Sequence, residues 1–544
     1  MLPSRYFAFA FVCGFCLLSL CAALVQSPTW WIAFAASAGL VWVGVRDLTQ
    51  TRQSIRRNYP LLSHFRFFFE RIRPEIRQYL LEDDTEELPF SRVQRSIIYQ
   101  RAKNEVDLRP FGTQLNVYAP QYEWINHSIA PTQPTTHDFR VEIGKGRCAL
   151  PYAASVFNIS AMSFGSLSAN AIRSLNGGAR RGGFYHDTGE GSISQYHREM
   201  GGDLVWEIGS GYFGCRNDDG SFSRERFRAN AAYEGVRMIE VKLSQGAKPG
   251  HGGVLPGAKV TPEISAARGV PIGVDCISPA RHSAFSTPLG LLEFVAELRE
   301  LSGGKPTGFK LAIGHPWEWF GIAKAMRESG LVPDFIVVDG GEGGTGAAPL
   351  EFTNHVGAPL REALMLVHNT LVGLGLRDQI RIGASGKIVT AFDIARTLAL
   401  GADWCNSARG FMFALGCIQA QTCHTGRCPT GVTTQDALRQ RALVVPDKTE
   451  RVHQFHRNTM HALRELIAAA GLEHPRELGP EHVIRRVSST EVRSLAALHV
   501  WAKPGELLNG TPEHPVFKVF WDSARSDTFA APAHLLSLRG SKLQ

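Results

Sequence analysis

The chain has 544 residues, of which 44% are hydrophobic and 20% charged, and a formal net charge of +8. The length exceeds a typical domain of roughly 100–200 residues, and the ordinary globular composition excludes a disordered or fibrous chain. Residues 1–80 hold nine arginines, no lysine and three acids, so most of the excess charge lies in this segment. This placement indicates a membrane-topology and lipid-surface feature, and we predict no nucleic-acid partner.

Two uncharged apolar runs lie near the start of the chain, Tyr6–Leu24 and Pro28–Val45. Each is close to the ~17–25 residues that cross a bilayer as a helix. The connection between them carries no Lys or Arg, whereas arginines flank the pair on both outer sides: Arg5, Arg46, Arg52, Arg56 and Arg57. The positive-inside rule therefore predicts a cytoplasmic-membrane protein with a transmembrane hairpin over residues 1–50 and a catalytic domain facing the cytoplasm. A cleaved signal peptide or a buried core helix is the alternative for the first run.

Residues 51–150 are predicted to form a juxtamembrane and pre-barrel region. From Thr51 to about Glu87 the sequence is basic and aromatic. Phenylalanines and arginines alternate in its centre, at Phe65, Arg66, Phe67, Phe68, Phe69, Arg71 and Arg73. This pattern fits either an interfacial helix or a connector that packs into the core.

From Val156 onward, short apolar runs end in Gly-rich loops and are followed by helical stretches. This alternation is typical of βαβ units and a parallel sheet. About eight units over roughly 280 residues predict an α/β fold, a TIM (β/α)8 barrel over residues 151–440, rather than two Rossmann halves. Residues 441–544 are predicted to be a helical extension. The predicted strands include Val156–Ser160, Met238–Leu243, Pro271–Ile277, Gly308–Ile313, Phe335–Asp339, Ile380–Ile382 and Trp404–Ser407.

Three of the ten cysteines are clustered, Cys417, Cys423 and Cys428, in a Cys-x5-Cys-x4-Cys run that Pro429 closes. In a cytoplasmic protein such a cluster favours a metal or redox site over disulfides. Three thiolates match the terminal ligands of a 3Fe–4S cluster, and a Cys-Pro ending also occurs in ferredoxin-type runs. A zinc site would need a fourth ligand, such as His424. Three unrelated buried cysteines are the remaining alternative.

Three loops after late strands predict a phosphate-binding site. The loop Asp339–Gly346 contains a formal G-x-G-x-x-G, but no convincing helix follows at once, so the dinucleotide signal is weak. Backbone N–H groups of such a loop, late in a barrel, are a natural phosphate cradle. An ordinary tight turn explains each loop taken alone. The predicted cradle residues are Gly343, Gly344, Thr345, Gly346, Gly386, Ala408 and Arg409.

Three charged residues follow or lie within early and middle strands. Lys242 and Lys310 have apolar neighbours, and a lysine in such a position is rarely buried without a partner. We expect both to point toward the barrel mouth, where they would stabilise a reduced flavin or an anionic substrate. Outward-facing lysines are the alternative. Glu190, in Thr-Gly-Glu-Gly-Ser, is either catalytic or a turn residue.

The loop Gln245–Gly257 follows the Lys242 strand and is too rich in glycine to be a helix. Active sites of barrels lie at the carboxyl ends of the strands. Gln245, Lys248 and nearby Arg268 are therefore candidates for binding a dicarboxylate.

Five segments in colinear order over about residues 150–440 resemble the FMN-binding synthase domain of the glutamate synthase family. They are Ser160–Gly165, Gly189–Gly191, Lys242–Gly250, Gly343–Ala347 and the cysteine run through Gly431. The resemblance implies a TIM-like barrel that binds FMN and one 3Fe–4S cluster and reduces 2-iminoglutarate to L-glutamate.

The resemblance also implies roles for individual residues. Glu190 would lie near the flavin, Lys248 and Arg268 would bind 2-oxoglutarate, and the three clustered cysteines would bind the iron–sulfur cluster. The implied FMN-contacting residues are Met162, Ser163, Lys242, Gly344, Thr345 and Arg409.

The sequence departs from the family pattern in two respects. Full-length family enzymes begin with an amidotransferase domain that releases ammonia from glutamine, where this chain has two apolar runs, so we expect an ammonia-supplying partner or free ammonia. Val254 stands where the larger enzymes carry a glutamine for the substrate, and His251 replaces an acid.

Three functions fit these residues. The first is an ammonia-dependent or partner-fed glutamate synthase, and the second a membrane flavin and Fe–S dehydrogenase for another amino or oxo acid. The third, a non-catalytic electron-relay or ligand-sensing subunit, is disfavoured by the presence of all three cysteines together with Glu190 and Lys242. No NAD-binding module is recognisable, so we expect a ferredoxin, a separate reductase or a quinone pathway as electron donor.

Overall fold

The computed structural model describes residues 3–86, 89–508, 512–533 and 535. The predicted hairpin, juxtamembrane region and C-terminal extension fall partly outside these residues, at 1–2, 87–88, 509–511, 534 and 536–544. The chain forms two compact units, residues 1–92 and 93–544.

The first unit starts with a 3-10 turn, Ser4–Tyr6, and two apolar helices, Phe7–Val25 and Trp30–Thr49. The two helices pack together, and the hydroxyl oxygens of Ser19 and Ser37 lie 3.3 Å apart. Only 6% and 17% of their most apolar stretches are buried, unlike core helices of a soluble protein. The first unit thus contains two helices long and apolar enough to cross a membrane.

A helical segment follows the two apolar helices. It consists of Ser54–Asn58, Leu62–Ile76 and a π-helical turn, Arg77–Leu81. The buried Asp47 carboxylate, near the end of the second apolar helix, accepts a hydrogen bond from the Leu61 backbone N–H at 3.1 Å. It also lies 2.9 Å from Nε2 of His64. These contacts hold the start of the next helix against the end of the apolar helix.

Eight parallel strands close into a barrel in the second unit, which confirms the predicted TIM-barrel architecture. Strands that are consecutive in the chain are neighbours, and the eighth pairs with the first between Cys405 and Phe157. Closure leaves no unpaired sheet edge. In chain order the barrel strands are Phe157–Ile159, His186–Asp187, Leu204–Ile208, Val236–Lys242, Thr307–Leu311, Phe335–Asp339, Arg381–Ser385 and Trp404–Ser407.

Six of the predicted strands coincide with barrel strands, and Phe335–Asp339 and Trp404–Ser407 have the predicted bounds. The predicted strand Pro271–Ile277 is wrong. Only Cys276–Ile277 is extended, and it pairs antiparallel with Val254–Leu255 outside the barrel. This small sheet belongs to a long insertion between the fourth and fifth barrel strands.

Helices surround the barrel and alternate with its strands. In chain order they are Ala169–Gly182, Gln195–Glu199, Arg224–Ala231, Pro288–Leu301, Pro316–Ser329, Leu360–Gly373, Ala391–Ala399 and Arg409–Leu415. The first packs against the long C-terminal helix Val445–Ala469. A Cβ at Gly178 would lie 2.3 Å from Cγ1 of Val452, so glycine is what permits this close approach. Further helices lie at Arg92–Lys103, Pro262–Arg268, Leu350–His355, Ala437–Gln440, Leu495–Leu498 and Pro515–Phe520.

Two further antiparallel sheets lie outside the barrel. Arg140–Ile143 pairs with Tyr152–Ser155, and Val483–Arg486 pairs with both Glu123–Ile125 and Val492–Ser494. The extension after residue 441 therefore contains strands as well as helices, which differs from the predicted helical extension. The buried Glu123 carboxylate anchors the second sheet through three ion pairs at 2.9, 3.0 and 2.7 Å, with Arg361, Arg396 and Arg485.

Candidate active site

An acid and a lysine meet at the carboxyl end of the barrel. Lys242 is the last residue of the fourth strand, and Glu190 lies in the loop after the second strand. Nζ of Lys242 donates to Oε2 of Glu190 at 2.9 Å, and the side chains are only 11% and 21% exposed. Burial acts to raise the pKa of Glu190, but the cations of Lys242, Arg268 and Lys248 outweigh it and hold the pKa at about 2. Glu190 is therefore a carboxylate at neutral pH.

Glycines give this carboxylate its position. Gly189 has φ +64°, and a Cβ there would lie 2.6 Å from the Ser163 backbone nitrogen. Only glycine allows the loop that carries Glu190 to lie against the loop of Met162 and Ser163. A Cβ at Gly253 would lie 2.7 Å from Oε1 of Glu190, so the insertion also reaches the carboxylate. Three loops thus meet at Glu190.

Arg268 joins the insertion to the first loop. It ends the helix Pro262–Arg268 and is 5% exposed. Its Nη2 donates to the Phe164 carbonyl at 3.0 Å, and its guanidinium lies 5.2 Å from the ring centre of Phe213. In the part of the chain that the structure describes, its Nε has no hydrogen-bond partner. Arg268 therefore braces two loops, and one of its buried donors is left unsatisfied among the described residues.

The other two predicted substrate residues lie in a turn after the fourth strand. The Lys248 backbone N–H donates to the Gln245 carbonyl at 3.3 Å. Both side chains are half-buried. Burial lowers the pKa of Lys248, the charge of Glu190 opposes this, and the charge of Lys242 adds to the lowering. Lys248 thus lies within electrostatic reach of the Glu190–Lys242 pair.

The late loops of the barrel meet as the sequence predicts. Asp339, at the end of the sixth strand, accepts from the Ser385 hydroxyl at 2.5 Å and from the Gly246 backbone N–H at 2.7 Å. Nη2 of Arg409 donates to the Glu342 carbonyl at 2.7 Å. The loops after the fourth, sixth, seventh and eighth strands are therefore adjacent.

The Gly-rich loop presents free backbone donors at this junction. Among the described residues, the backbone N–H groups of Gly344, Thr345, Gly346 and Gly386 donate to no protein acceptor. A Cβ at Gly344 would lie 2.8 Å from Nε of Arg409, so the guanidinium lies directly against the loop. Unpaired amides beside a cation form the anion-binding concavity that a phosphate requires. Ala408, also predicted here, is half-buried just before Arg409.

The three clustered cysteines lie between the helix Arg409–Leu415 and the loop that ends at Gly431. Burial raises the pKa of Cys417 to about 12, and the nearby Cys423 and Cys428 add to the rise. The Gln419 backbone N–H donates to Sγ of Cys417 at 3.5 Å. The three thiols thus lie within electrostatic reach of one another, in a segment without regular secondary structure apart from the turn Cys423–Thr425.

The cysteine segment and the stretch that follows it contact both other parts of the site. Nε2 of Gln435 donates to the carbonyls of Gly165 and Leu167, each at 3.0 Å, in the loop after the first strand. Nζ of Lys259, in the insertion, donates to the His424 carbonyl at 3.0 Å. The insertion that carries Arg268 is therefore bonded to the cysteine segment, and the loop of Met162 and Ser163 is bonded to the stretch that follows this segment.

Lys310 lies elsewhere than expected. Its side chain is 5% exposed, and its Nζ pairs with Glu207 and, at 3.2 Å, with Glu240. Asp187 completes a buried group of three carboxylates around this ammonium inside the barrel. The pairing with these acids accounts for the buried charge of Lys310, and the expectation that it points to the barrel mouth is corrected.

The buried acids were not identified in the sequence. Burial and the charge of Glu207 raise the pKa of Asp187 to about 7, although Lys310 opposes the rise. Burial also raises the pKa of Glu240 well above its usual value. The sequence feature that could have revealed these acids is an acidic residue inside an apolar strand, as in Leu-Val-Trp-Glu-Ile at 204–208.

These features define a parallel-barrel protein whose strand-end loops combine a junction of unpaired backbone amides, a cluster of cationic side chains and a three-cysteine segment. Residues 137–473 match the family model described as the conserved region in glutamate synthase. The chain therefore belongs to the glutamate synthase family, a family of oxidoreductases that act on CH–NH2 groups. The predicted family and enzyme class are confirmed.

Three relatives illustrate the similarity. The chain is 38% identical over 486 residues to the glutamate synthase large subunit-like protein YerD of Bacillus subtilis, covering 82% of this chain and 92% of that protein. It is 36% identical over 314 residues to the archaeal-type glutamate synthase (NADPH) of Thermotoga neapolitana, covering 58% of this chain and 59% of that protein. It is 36% identical over 315 residues to the archaeal glutamate synthase (NADPH) of Methanocaldococcus jannaschii, covering 58% of each chain.

Proposed function

We propose that this protein reduces 2-iminoglutarate, formed from 2-oxoglutarate and ammonia, to L-glutamate with FMN and a 3Fe–4S cluster. The observation that carries the proposal is the ionised Glu190 paired with Lys242 at the barrel mouth, with Lys248 and Arg268 close enough to act on its pKa. One carboxylate among three cations matches a substrate with two carboxylates and one cationic iminium group.

The residues present fit FMN. The free amides of Gly344, Thr345, Gly346 and Gly386, beside Arg409, would bind the phosphate. Met162, Ser163, Gly343, Ala408 and Lys242 would complete the contacts. FMN, when bound, supplies the hydride that reduces the carbon–nitrogen double bond.

The chain's own residues have distinct proposed roles in the reaction. Lys248 and the unpaired Nε of Arg268 bind the substrate carboxylates, and Gln245 lies in the same turn. The Glu190 carboxylate accepts hydrogen bonds from the iminium N–H groups, so it holds the imine in its cationic, more electrophilic form. Lys242 fixes the position of Glu190 through the 2.9 Å bond. The buried setting strengthens each of these electrostatic contacts.

The cysteine segment fits an iron–sulfur cluster by its donor chemistry. Thiolates of Cys417, Cys423 and Cys428 are the soft ligands that such clusters require. The Gln435 contacts connect this segment to the proposed flavin loop. Electrons would then enter through the cluster from a ferredoxin, a reductase or a quinone pathway.

The membrane assignment is also a proposal. The two apolar helices of the first unit would span the cytoplasmic membrane, with the catalytic domain on the cytoplasmic side because arginines flank both outer ends. Ammonia would come from solution or from a partner protein.

A second candidate is reduction of a different oxo acid imine. The observation that favours it is Val254, which is 54% exposed in the insertion next to Gly253 and offers no hydrogen bond to a second carboxylate. A less polar side chain on the substrate would suit this position better.

One experiment separates the candidates. The purified protein, reduced chemically without oxygen, is given 15N-ammonium and 2-oxoglutarate, pyruvate or 2-oxoisocaproate, and the amino acids are identified by mass spectrometry. We expect labelled glutamate in excess of the other products, and loss of labelling in Glu190→Gln. Preferential labelling of alanine or leucine would support the second candidate, and no product from protein with intact flavin and cluster would overturn both. Glu225→Gln, on an outer helix, is the matched control.

A further inference from the structure

The helix Leu62–Ile76 and the following turn to Leu81 present an apolar face that no other described residue of the first unit covers. Phe65, Phe68 and Phe69 are 66%, 55% and 58% exposed, and Leu80 is 76% exposed. Apolar residues recur at spacings of three and four, which places them on one side of a helix. They are Leu62, Phe65, Phe69, Ile72 and Ile76.

A row of arginines borders this apolar face. Arg66, Arg73 and Arg77 recur at spacings of seven and four and so lie one step around the helix from the apolar residues. Arg66 also pairs with Glu70 at 3.0 Å, and Arg77 pairs with Glu86 at 2.6 Å. Residues 51–81 still contain seven arginines against two glutamates. The surface next to the apolar face is therefore positively charged.

Between the two rows lies a groove of about 580 Å³. Three arginines, Arg66, Arg73 and Arg77, and one acid, Glu70, line one part of it, and the apolar side chains of Phe69, Ile76 and Leu81 line the rest. Glu70 pairs with Arg66, so the polar part of the lining keeps a net positive charge. A phosphate group beside the arginines, with hydrocarbon beside the apolar side chains, is the chemistry of a phospholipid.

The contacts at the start of the helix Leu62–Ile76 determine how deep it would lie in a membrane. The Asp47 carboxylate bonds Leu61 and His64 and so holds the helix start at the end of the helix Trp30–Thr49. If Trp30–Thr49 spans the bilayer, its end lies at the membrane surface, and the amphipathic helix begins there.

We propose that the segment Leu62–Leu81 lies on an anionic membrane surface, with its phenylalanines in the acyl boundary and Arg66, Arg73 and Arg77 at lipid phosphates. Anionic lipids attract a cationic segment beside a spanning helix, and exposed aromatic residues bury apolar surface there. The inference rests on the proposed membrane spans and not on the proposed reaction.

The test uses the full chain in nanodiscs with a fluorescent amino acid at position 69 or, as matched control, at position 71 on another side of the helix. Lipids with a nitroxide on the acyl chain quench a fluorophore in the bilayer. In discs with phosphatidylglycerol we expect quenching at position 69 at least three times that at position 71. Equal quenching at the two positions overturns the proposal. If the fluorophore at position 69 is protected from solvent only in discs that contain two chains, the apolar face contacts a second copy of the chain instead of lipid.

A second comparison tests the contribution of the arginines to membrane binding. Discs of phosphatidylcholine alone, or the triple variant R66Q/R73Q/R77Q in anionic discs, should show at most half of the quenching at position 69. R71Q should leave it unchanged. Equal quenching of the wild type in the two lipids would overturn the role of the arginines. A chain that does not enter discs would overturn the membrane spans and this proposal, while glutamate formation in solution would still be measurable.

Discussion

Lys242 and Glu190 are 52 positions apart in the chain, and the barrel brings Nζ of one to 2.9 Å from Oε2 of the other. The loop of Glu190 reaches this position because glycine at 189 and 253 removes side chains that would block it. The pair fixes a negative charge at the barrel mouth, and the predictions below begin with it.

Replacing Glu190 by glutamine should lower stability by about 3 kcal/mol at neutral pH, the free energy of a fall in pKa from 4.5 to about 2. Because the folded pKa is depressed, this stability is fully present above pH 4.5 and is lost as pH falls toward 2. The difference between wild type and variant should therefore be constant from pH 5 to 8 in denaturant titrations. A difference that changes within that window would show that Glu190 titrates there. Glu225→Gln on an outer helix is the control.

Asp187 should give the opposite pH dependence. Its folded pKa is raised to about 7, so between pH 4 and 7 the folded chain holds a proton that the unfolded chain has released. The free energy of unfolding therefore falls as pH rises from 4 to 7, by up to about 1.4 kcal/mol per pH unit. Above pH 7 the contribution of Asp187 no longer changes with pH. Asp187→Asn should reduce this slope in denaturant midpoints measured from pH 5 to 8 and leave the part due to Glu240, whose pKa is also raised, whereas the exposed Asp218→Asn should keep the full slope. An unchanged slope in Asp187→Asn would contradict the assignment.

Lys310→Met should destabilise the barrel strongly. It leaves Glu207 and Glu240 buried without their cation, and breaking such a pair typically costs about 3–5 kcal/mol. For a unit of this size we expect the thermal midpoint to fall by about 3–5 °C. Adding Glu207→Gln should restore part of the loss, because one uncompensated charge is removed. The exposed Lys145→Met should have little effect, and a similar fall there would argue against a special role for Lys310.

The barrel strands could be predicted where the local sequence marks both ends of the strand. Phe335–Asp339 and Trp404–Ser407 are apolar and end in polar or Gly-rich loops, so their bounds are visible in the sequence. His186–Asp187 has two residues and no periodicity to detect. Pro271–Ile277 has β-branched residues, but Ile272 and Val274 are exposed in the insertion, so the apolar pattern misled.

The candidate site also has some features that the sequence reveals and others that it does not. The cysteine spacing and the Gly-rich loop are contiguous motifs that can be recognised in the sequence. In the structure the Gly-rich loop follows the sixth barrel strand and contacts Arg409, and the cysteines follow the helix after the eighth strand. The partners of Lys310 come from two other strands, and sequence periodicity gives the face of a side chain but not its partner. The expected orientation of Lys310 failed for that reason.

Cys423→Ser should remove the iron–sulfur cluster and leave flavin bound, because the proposed flavin residues lie on other loops. Iron and sulfide analysis and EPR of the oxidised protein would measure the first effect, and the flavin absorbance the second. Cys148→Ser, outside the cysteine segment, should keep both groups. Full iron content in Cys423→Ser would contradict the assigned ligand set.

Arg268→Ala should weaken 2-oxoglutarate binding by roughly 10- to 150-fold, the effect of losing a charged hydrogen bond worth about 1.5–3 kcal/mol. The reason is that its Nε is buried without a partner among the described residues, and the proposed binding of a carboxylate would satisfy this donor. The measurement is titration of the flavin absorbance with 2-oxoglutarate.

The Nη2 bond of Arg268 to the Phe164 carbonyl complicates this variant, because its loss also loosens the loop beside the proposed flavin. Lys248→Met provides the second variant, since Lys248 has no such structural bond among the described residues. If Lys248→Met weakens 2-oxoglutarate tenfold or more with full flavin content, the cation pocket binds the substrate. If both variants bind 2-oxoglutarate like the exposed-arginine control Arg228→Ala, the pocket serves another ligand, and Val254 becomes the first position to change in a search for it.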